Sequence, residues 1–572
     1  MKAITQLKLN LLHKVDALLK VSVINIFSFV FSLLMSFTSF ICAQDSNHII
    51  AVNQLNVDAS ILNIQPGDTV CIQAGVRGLL RIANFHGTPE KYIVFKNFGG
   101  EVIIQGDDLQ YGVSIVNSSY FRFTGTGIDS IKYGIRVMKT KVGGTMGIGI
   151  SDRSTNYEID HIEIANVGFA GIMAKTDPKN DLSNNRDNFT QYQSIFHDNY
   201  IHNTGGEGMY IGHSFYNGIL STSVGDEVTL LPSVLKGVRV YNNRVDSTGW
   251  DGIQVGSATE DCEIYGNSVT NYGVKNVSEQ QSGIQLGGGT TGKCFNNYIA
   301  NGSGNGISVF GLGNNDIYNN IILNAGRNNF PNDPTKRIHG IFVQDISTIP
   351  GSSFNFYNNT IINPKTDGIR FSSVLSKNNK FQNNIILNPG SFNTYSKYSK
   401  ETSFINIGVK IGIDAVISNN FFDINSDKIK FEDEKNNNFK LLSNSPAIEA
   451  GLDLSNFGIN CDFDNNARPI GRSYDIGAYQ RISKIKTNLD SKSILNYNVY
   501  PNPSNGKFHI SREESSNITI SIHDIMGKVV KTSKNTTDKL LEFDITDIAA
   551  NGKYFVTLND EYASITKTII IQ

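Results

Sequence analysis

The chain has 572 residues, more than one ordinary domain, and its 50 Lys and Arg residues nearly balance its 52 Asp and Glu residues. The resulting formal charge of −2 gives no support for a nucleic-acid partner or for electrostatic binding to a membrane surface. The 53 glycines and the single tryptophan favour a chain with many tight corners.

Residues 1–43 have the features of an export signal. Residues 1–20 carry four lysines, the apolar run VINIFSFVFSLLMSF follows, and a small residue, Ala43, closes the segment. This order predicts cleavage before Gln44. Because the apolar run is nearly long enough to cross a bilayer, a retained signal anchor is the alternative.

Residues 44–110 are expected to form an N-terminal cap and the first coils of a repeat architecture. The run KYIVFKNFGGEVIIQG has the alternation and the turn residues of short strands. A shielded first coil is expected because an uncovered end of a repeat stack would aggregate.

Residues 111–425 repeat one short pattern, a Gly-Ile-x-Val quartet with small variations. The quartets are separated by roughly 20 to 45 residues, which is typical of a solenoid with loops of variable length. They are GIRV (134–137), GIMA (171–174), GMYI (208–211), GIQV (252–255), GIQL (283–286), GISV (306–309), GIFV (340–343) and GIRF (368–371).

A second pattern lies between the quartets, an aromatic residue followed by Asn. It appears as YNN (241–243), YGN (265–267), FNN (295–297), YNN (318–320), YNN (357–359) and FQNN (381–384). Asn tolerates the left-handed backbone region and therefore suits a tight corner between two strands. Its amide can also bond to the same Asn one coil away, so we predict an asparagine ladder.

All these segments are short and alternate with period two. We therefore predict an all-β fold, a right-handed parallel β-helix or solenoid, whose interior is filled by columns of Ile, Val and Leu. An antiparallel sandwich with accidental internal similarity is the alternative.

Residues 426–480 resemble the closing segment of bacterial secreted β-helices, on the words NNNFKLLSNSPAIEAG and CDFDNNARPIGRSYDIGAYQ. Asp462, Asp464 and Asn466 alternate as in a Ca²⁺ loop, but the remaining ligands of an EF-hand are missing. We expect a solvated turn there.

A polar linker is predicted at 481–495 and a small β-sandwich at 496–572. The words YPNPSNGKF, IHDIMGK and GKYFVTL resemble the C-terminal sorting domain (type A) of the Bacteroidetes type IX secretion system. The resemblance implies the type IX machinery as a partner, passage through the outer membrane, and either release or attachment at the cell surface.

The coil pattern of residues 111–425 is similar to the pectate-lyase-like superfamily, which includes polysaccharide lyases, glycoside hydrolases and epimerases. The chain has no Asp-Pro-His-Asp of the alginate epimerases and no NTD or RIK element of the polygalacturonases. The resemblance therefore implies a polysaccharide substrate and leaves the reaction undecided. We expect a monomer.

Removal of the signal leaves four cysteines, Cys71, Cys262, Cys294 and Cys461. Alignment of Tyr265 with Phe295 staggers Cys262 and Cys294 by two residues, which would strain a bridge between them. We expect buried thiols.

The quartets also predict which side chains face outward. Ile and Val point inward, so the third residue and the residues flanking the quartet point out. Glu207 and Asp251 then fall at the same place on consecutive coils, roughly 4.8 Å apart. Like charges this close need a cation, a shared proton or a basic neighbour. Alternatively, the two acids are turn residues that cap backbone amides.

Loops are expected at 139–156, 176–193 and 213–236, and they would raise walls beside this part of the helix. The candidate site is therefore placed on the coils from 134 to 256. Its candidate residues are Lys175, Glu207, Tyr210, His213 and Asp251 for catalysis, Arg136, Trp250, Gln254 and Gln285 for substrate binding, and Glu207 and Asp251 for a metal. His339, Asp345 and Asp367 are expected to be ordinary surface.

Three functions remain open. The first is an exported lyase that cleaves an acidic, uronate-containing polysaccharide by β-elimination, with Lys175 as base, Arg136 paired with substrate, and Tyr210 or His213 as proton donor. Glu207 and Asp251 would hold Ca²⁺. The second is a glycoside hydrolase that uses Glu207 and Asp251 directly. The third is a non-catalytic, glycan-binding or adhesive solenoid.

Overall fold

The computed structural model describes residues 48–221, 228–329, 336–392, 402–408, 413–469, 472–481, 497–512, 518–524, 529–547, 551–559 and 564–572. The chain divides into two compact units after Arg481. The predicted signal and most of the predicted linker lie outside the described residues. No helix within the described ranges is long and apolar enough to cross a bilayer.

The first unit is a right-handed parallel β-helix, as predicted. Each full coil contributes a strand to each of three faces, which we call faces A, B and C, and every strand pairs in parallel with its equivalent on the next coil. Faces A and B form one 23-stranded sheet and face C a 12-stranded sheet. The asparagine corner joins face A to face B, and the glycine quartets lie on face C.

Face A contains the strands Ile49–Ile50, Ser119–Thr124, Thr155–Asp160, Ser194–His197, Arg239–Tyr241, Cys262–Tyr265, Gly292–Phe295, Asn315–Tyr318, Phe354–Tyr357, Asn379–Gln382 and Ala415–Ser418. Thr69–Arg77 and Ile93–Gln105 run through faces A and B. Face B contains Ile135–Lys139, Ile162–Ala165, Tyr200–Thr204, Arg244–Thr248, Ser268–Thr270, Tyr298–Ala300, Ile321–Leu323, Thr360–Ile362, Ile385–Leu387 and Phe421–Asp423.

Face C contains Asn56–Asp58, Leu80–Ala83, Tyr111–Val116, Met146–Ser151, Ile172–Ala174, Met209–Ile211, Ile253–Val255, Ile284–Leu286, Ile307–Val309, Ile341–Val343, Ile369–Phe371 and Ile405–Ile407. Smaller sheets join Thr190–Tyr192, Val234–Lys236 and Ala258–Glu260, then Ile219–Ser221 and Val228–Leu230, and finally Phe431–Asp433 and Asn438–Leu441. One helix, Ala59–Leu62, and the 3₁₀ turns Ser426–Lys428, Glu434–Asn436 and Ser455–Phe457 complete the unit.

The quartet glycine is required by the close approach of neighbouring coils. A Cβ atom on Gly252 would lie 2.3 Å from Val269 Cγ1 and 2.5 Å from the carbonyl oxygen of Gly283. The following Ile stacks on the Ile of the next coil and is fully buried, for example Ile253 on Ile284. The glycine therefore lets the chain turn tightly into face C, and the isoleucines fill the interior.

The two residues of each asparagine pair have different structural roles. The first Asn adopts a positive φ, as at Asn296 (φ 53°) and Asn319 (φ 52°). The second is buried and forms the ladder, in which Asn297 Nδ2 donates to Asn320 Oδ1 at 3.0 Å. The bond repeats between Asn199, Asn243, Asn267, Asn297, Asn320, Asn359, Asn384 and Asn420. Both predicted uses of Asn are therefore present.

Among the described residues, Cys262, Cys294 and Cys461 form no disulfide. Ile264 pairs with Cys294, and Cys262 pairs with Gly292, so the two thiols are staggered by two residues as expected. Cys71, Cys262 and Cys294 are buried, and Cys262 and Cys294 are free thiols. Cys461 is free but exposed, so the expectation of a buried thiol is wrong at this position.

The closing segment packs along the asparagine corner of the last coils. Arg468 is its buried anchor and donates to Asn319 Oδ1 and to the carbonyl of Gly477, each at 2.9 Å. Asp462 is also buried, and its Oδ1 accepts from the N–H groups of Asp464 and Asn466. A turn forms here as expected, with Asp464 and Asn465 exposed and with the buried Asp462 as its internal cap.

The second unit consists of two antiparallel sheets, in agreement with the predicted small β-domain. One sheet contains Tyr497–Tyr500, Lys507–Arg512 and Leu540–Asp544, and the other contains Val529–Thr536, Ile518–His523, Gly552–Asn559 and Ser564–Ile571. Alternate residues of the strands are buried, such as Ile518, Ile520 and Ile522, which form a separate core.

Candidate functional site

The outer surface of face C is the part of the β-helix on which the predicted site residues converge. Its outward column is in register from coil to coil, because each member pairs with the next in the parallel sheet. The column reads Ser114, Gly149, Met173, Tyr210, Gln254, Gln285, Ser308, Phe342, Arg370 and Asn406.

Arg136 is not in this column. Its strand, Ile135–Lys139, lies on face B, and its Nε donates to Glu163 Oε2 at 2.7 Å. On face C, the quartet before Gly171 to Ala174 is instead Gly147 to Ile150, because Ile148 pairs with Ile172. The predicted loop 139–156 therefore contains a face C strand, Met146–Ser151. The alignment failed because strands of faces B and C share the same Ile-x-Val pattern.

Glu207 and Asp251 lie on consecutive coils, as the spacing predicted. The N–H of Gly208 donates to the carbonyl of Asp251 at 2.9 Å, which fixes the register of the two acids. Both side chains are nearly removed from solvent, with exposures of 2% for Glu207 and 0% for Asp251. They therefore lie beneath the surface of the groove rather than on it.

The environment of this acid pair favours protonation. Burial raises the pKa of Glu207 to about 7. Burial also raises the pKa of Asp251 well above its ordinary value, and the charge of Glu207 adds to this rise. Asp251 Oδ1 accepts from the N–H of Ser282, whereas Asp251 Oδ2 and Glu207 Oε2 have no hydrogen-bond partner among the described residues. Burial of both carboxyl groups therefore favours their protonated forms.

The same pair is an incomplete Ca²⁺ site. Two carboxylate oxygens without partners could serve as ligands, but Ca²⁺ takes about six to eight oxygens. Within the described ranges, no third acidic or histidine side chain joins Glu207 and Asp251. The residues present therefore do not fit a bound Ca²⁺ ion by themselves.

Lys175, Tyr210 and His213 form a cluster at the N-terminal end of the groove. Lys175 Nζ donates to Asp177 Oδ1 and lies 5.7 Å from the centroid of the Tyr210 ring. The Tyr210 hydroxyl bonds to Ser214 Oγ at 2.6 Å. Burial and the nearby charge of Lys175 together lower the pKa of His213 to about 4, so the imidazole is neutral at pH 7. Lys175 and Asp177 line a cavity of about 180 Å³.

The proposed sugar-contacting residues differ in their surroundings. Trp250 is half-buried, and its ring meets the Phe169 ring edge-on with centroids 5.2 Å apart, which anchors the loop. Gln285 Nε2 donates to Gln254 Oε1 at 3.1 Å, and both side chains are buried although they point outward. The walls beside face C therefore close over the middle of the groove.

An opening on face C that is larger than the cavity beside Lys175 lies further along the helix than predicted. A cavity of about 420 Å³, which we call the groove cavity, covers the coils that begin at Gly283, Gly306 and Gly340. Its lining includes Ser282, Gln285, Ser308, Phe310, Phe342, Lys336, Arg337 and His339. The rings of Phe310 and Phe342 meet edge-on, with centroids 5.9 Å apart. The cavity thus combines apolar, cationic and hydrogen-bonding groups.

His339 and Asp367 are not ordinary surface, contrary to expectation. His339 is 4% exposed, and its Nδ1 lies 3.2 Å from Oδ2 of the fully buried Asp367 on the next coil. Burial lowers the pKa of His339, which keeps the imidazole neutral. Asp345 caps a loop, accepting from Ser373 Oγ and from the N–H of Val374. The quartets that begin at Gly340 and Gly368 are 28 residues apart, and this spacing was the sequence signal that could have predicted the His339–Asp367 pairing.

Face A carries a different charged cluster. Within the described ranges, Glu158, Asp160 and His197 are the acidic and histidine groups close enough together to hold a metal. Arg122 Nε lies 3.1 Å from Glu158 and 2.8 Å from Asp160, so a cation already occupies the cluster. Burial opposes protonation of His197, but Asp198 and Glu158 outweigh it and raise its pKa to about 9. A protonated imidazole cannot ligate a metal.

Family models match two parts of the chain. Residues 233–407 match the model described as right handed beta helix region, and residues 498–572 match the model described as secretion system C-terminal sorting domain. No curated protein sequence matches the chain at a significant level.

Solved structures with similar winding include an alginate lyase from Paenibacillus sp. str. FPU-7, with 14% identity, coverage of 66% of this chain and 98% of that chain, and a TM-score of 0.27. The periplasmic alginate epimerase AlgG has 12% identity, covers 66% of this chain and 84% of its own chain, and has a TM-score of 0.33. A tailspike protein of an Acinetobacter baumannii bacteriophage, a capsular polysaccharide depolymerase, has 9% identity. The match covers 92% of this chain and 80% of that chain, with a TM-score of 0.26. Identities this low say nothing about activity.

The β-helix match lies within the first unit of the structure, and the sorting-domain match lies within the second. The sorting domain directs export through the type IX secretion system to the cell surface or the medium. The chain is a right-handed parallel β-helix protein that carries a type IX C-terminal sorting domain.

Proposed function

We propose that this protein is an exported lyase that cleaves an acidic, uronate-containing polysaccharide by β-elimination in the groove cavity. The observation that carries the proposal is the position of a buried, neutral imidazole, His339, beside two cationic residues, Lys336 and Arg337, in one open cavity. Export to the cell exterior suits a substrate that is too large to enter the cell.

The reaction requires two functions from the protein. A base must remove the proton next to the uronate carboxylate, and a cation must stabilise the negative charge that then develops on that carboxylate. His339 is suited to the first function because a neutral imidazole can accept a proton. Lys336 and Arg337 are suited to the second. The bond to the leaving glycosidic oxygen breaks as the carbon–carbon double bond forms, and that oxygen takes a proton from water.

The remaining lining groups are suited to binding a sugar chain. Phe310 and Phe342 offer an apolar surface, and Gln285 and Ser308 offer hydrogen-bonding groups. The walls of face C lie parallel to the helix axis, so a polymer would follow the groove. We place Lys175, Tyr210 and His213 at more distant binding positions along it.

Lys175 is less suited to the role of base than His339. Its contacts with Asp177 and with the face of the Tyr210 ring both require a protonated amine, whereas a general base must be unprotonated. Binding of a substrate carboxylate by Lys175 would be compatible with that protonated state.

A glycoside hydrolase is the second candidate, because the pKa of about 7 at Glu207 is typical of a catalytic general acid. Against this candidate, Glu207 and Asp251 are buried and do not line the groove cavity. Glu279, on an exposed loop, is the carboxylate among the described residues of its lining. Hydrolysis by the usual mechanism needs two carboxylates at the scissile bond.

The test is product analysis on a panel of uronate polymers. We expect an ultraviolet-absorbing unsaturated product, and the Lys336→Ala and Arg337→Ala variants should reduce its rate at least tenfold. Lys435→Ala is the matched control, since Lys435 is exposed and lies outside the cavity lining. New reducing ends without absorbance would instead support the hydrolase. Binding of a polymer without any product would overturn both and leave a glycan-binding solenoid.

A further inference from the structure

His339 has one ring nitrogen directed to protein and one left for the cavity. Nδ1 lies 3.2 Å from Asp367 Oδ2, a close electrostatic contact without hydrogen-bond geometry, and the described contacts include no hydrogen bond to Nε2. The ring packs nearly parallel to that of Phe342, with centroids 5.7 Å apart and an interplanar angle of 18°. The orientation of the imidazole is therefore fixed on two sides.

Asp367 is itself held by the following coil. Its Oδ1 accepts from the N–H of Ser403 at 2.8 Å, and its Oδ2 accepts from Asn406 Nδ2 at 3.2 Å. Asn406 Oδ1 in turn accepts from Arg370 at 2.6 Å. Because these donors leave the carboxylate as an acceptor, its negative charge favours a proton on the nearby Nδ1 of His339.

Apart from Asp367, the charged groups that shift the pKa of His339 are cations, and the carboxylate Glu279 lines the same cavity. Arg337 and Arg370 oppose a positive charge on the ring, and Lys336 lies in the same lining. Asp367 is the group that offsets them. The ring consequently remains neutral with its proton on Nδ1, and Nε2 keeps a free lone pair.

We propose that Asp367 is a positioning residue, which holds His339 in the Nδ1-protonated tautomer and aims Nε2 into the groove cavity as the general base. This inference rests on the proposed lyase function for its chemical role. In the step, Nε2 takes the proton from the carbon next to the carboxylate. The electrons of that C–H bond form the double bond, and the glycosidic oxygen leaves with its bonding pair and takes a proton from water.

The decisive variant is Asp367→Asn, which keeps the size of the side chain. Its amide nitrogen can donate to Nδ1, which favours the opposite tautomer and blocks Nε2. We expect kcat to fall about a hundredfold with KM changed by less than about twofold, and the limb of the pH–rate profile that reports His339 to move. The matched control is Asp345→Asn, which lies on the coil of His339.

A second measurement reads the tautomer without substrate. The ¹⁵N signals of His339 in the full chain, assigned by their loss in His339→Gln, should report protonated Nδ1 in the wild type and a change in Asp367→Asn. Unchanged signals, or a pH–rate profile identical to that of Asp345→Asn, would overturn the positioning role. A wild-type protein that yields no unsaturated product from any uronate polymer would instead overturn the proposed function, and the ¹⁵N signals would still decide the pairing.

Discussion

Glu207 and Asp251 occupy equivalent positions on consecutive coils, and each has one carboxylate oxygen without a hydrogen-bond partner among the described residues. Burial is the largest cause of the raised pKa of each acid. The pair is therefore stable while it holds a proton, and it becomes costly when both acids are charged.

This relationship predicts a pH dependence of stability. The pKa of Glu207 is raised from 4.5 to about 7 on folding. The stabilisation from its bound proton is complete below pH 4.5 and is lost as the pH rises through about 7. Glu207→Gln should raise the melting temperature at pH 8 and change it little at pH 4.5. Thermal unfolding at both pH values checks this, with Glu90→Gln, at an exposed position, as control. Equal effects at the two pH values would contradict it.

His197 on face A should show its effect over a different pH range. Its pKa is raised from 6.5 to about 9 by Asp198 and Glu158, despite the opposing effect of burial. The stabilisation is thus complete below pH 6.5 and is lost as the pH rises through about 9. His197→Gln should lower the melting temperature at pH 6 and have a much smaller effect at pH 10. Added Zn²⁺ should not stabilise the wild type at pH 7, and stabilisation by the metal would argue against the Arg122-filled cluster.

The asparagine ladder should be sensitive to loss of one member. Asn297 donates to Asn320 Oδ1 and accepts from Asn267 Nδ2, both at 3.0 Å and both away from water. Asn297→Ala should destabilise the β-helix by about 2 to 4 kcal/mol, because it leaves buried partners unsatisfied. Denaturant unfolding measures the change. The matched control is Asn296→Gly, since glycine readily adopts a φ of 53°. This substitution should lower the free energy of unfolding by less than about 1 kcal/mol.

Arg468 should determine whether the closing segment stays docked. Its guanidinium donates to Asn319 Oδ1 and to the Gly477 carbonyl, and it is buried. Arg468→Ala should cost about 3 kcal/mol locally and expose residues 452–480 to protease. Limited proteolysis with mass spectrometry locates the cuts. Arg472→Ala, at an exposed position on the same segment, should leave the cutting pattern of the wild type.

The fold could be predicted because each repeat contains a glycine and an asparagine at positions with strict geometric requirements. Gly252 has no room for a Cβ atom, and Asn296 must adopt a positive φ, so both recur at every turn of the chain. Arg136 was misplaced because Ile135 and Val137 fill the interior from face B just as Ile172 and Ala174 do from face C. The pattern of inward residues is the same on both faces and does not distinguish them.

The candidate site was predictable only in part. The spacing of quartets brought Glu207 next to Asp251, because register along a solenoid follows from the repeat. It could not indicate that both acids are buried, because burial depends on how loops fold over the groove. For the same reason His339 was taken as surface, although the loop residues Lys336 and Arg337 enclose it in the groove cavity.

The geometry of the asparagine ladder does not limit the number of coils that it can join. Each member receives a hydrogen bond from the coil before it and donates one to the coil after it, so any complete coil inserted between two others finds the same partners on either side. Duplication of one coil in the gene would extend the groove and add room for further sugar units, whereas duplication of a fraction of a coil would break the column. Evolution can therefore change the reach of this protein along a polymer in whole steps without redesigning its interior.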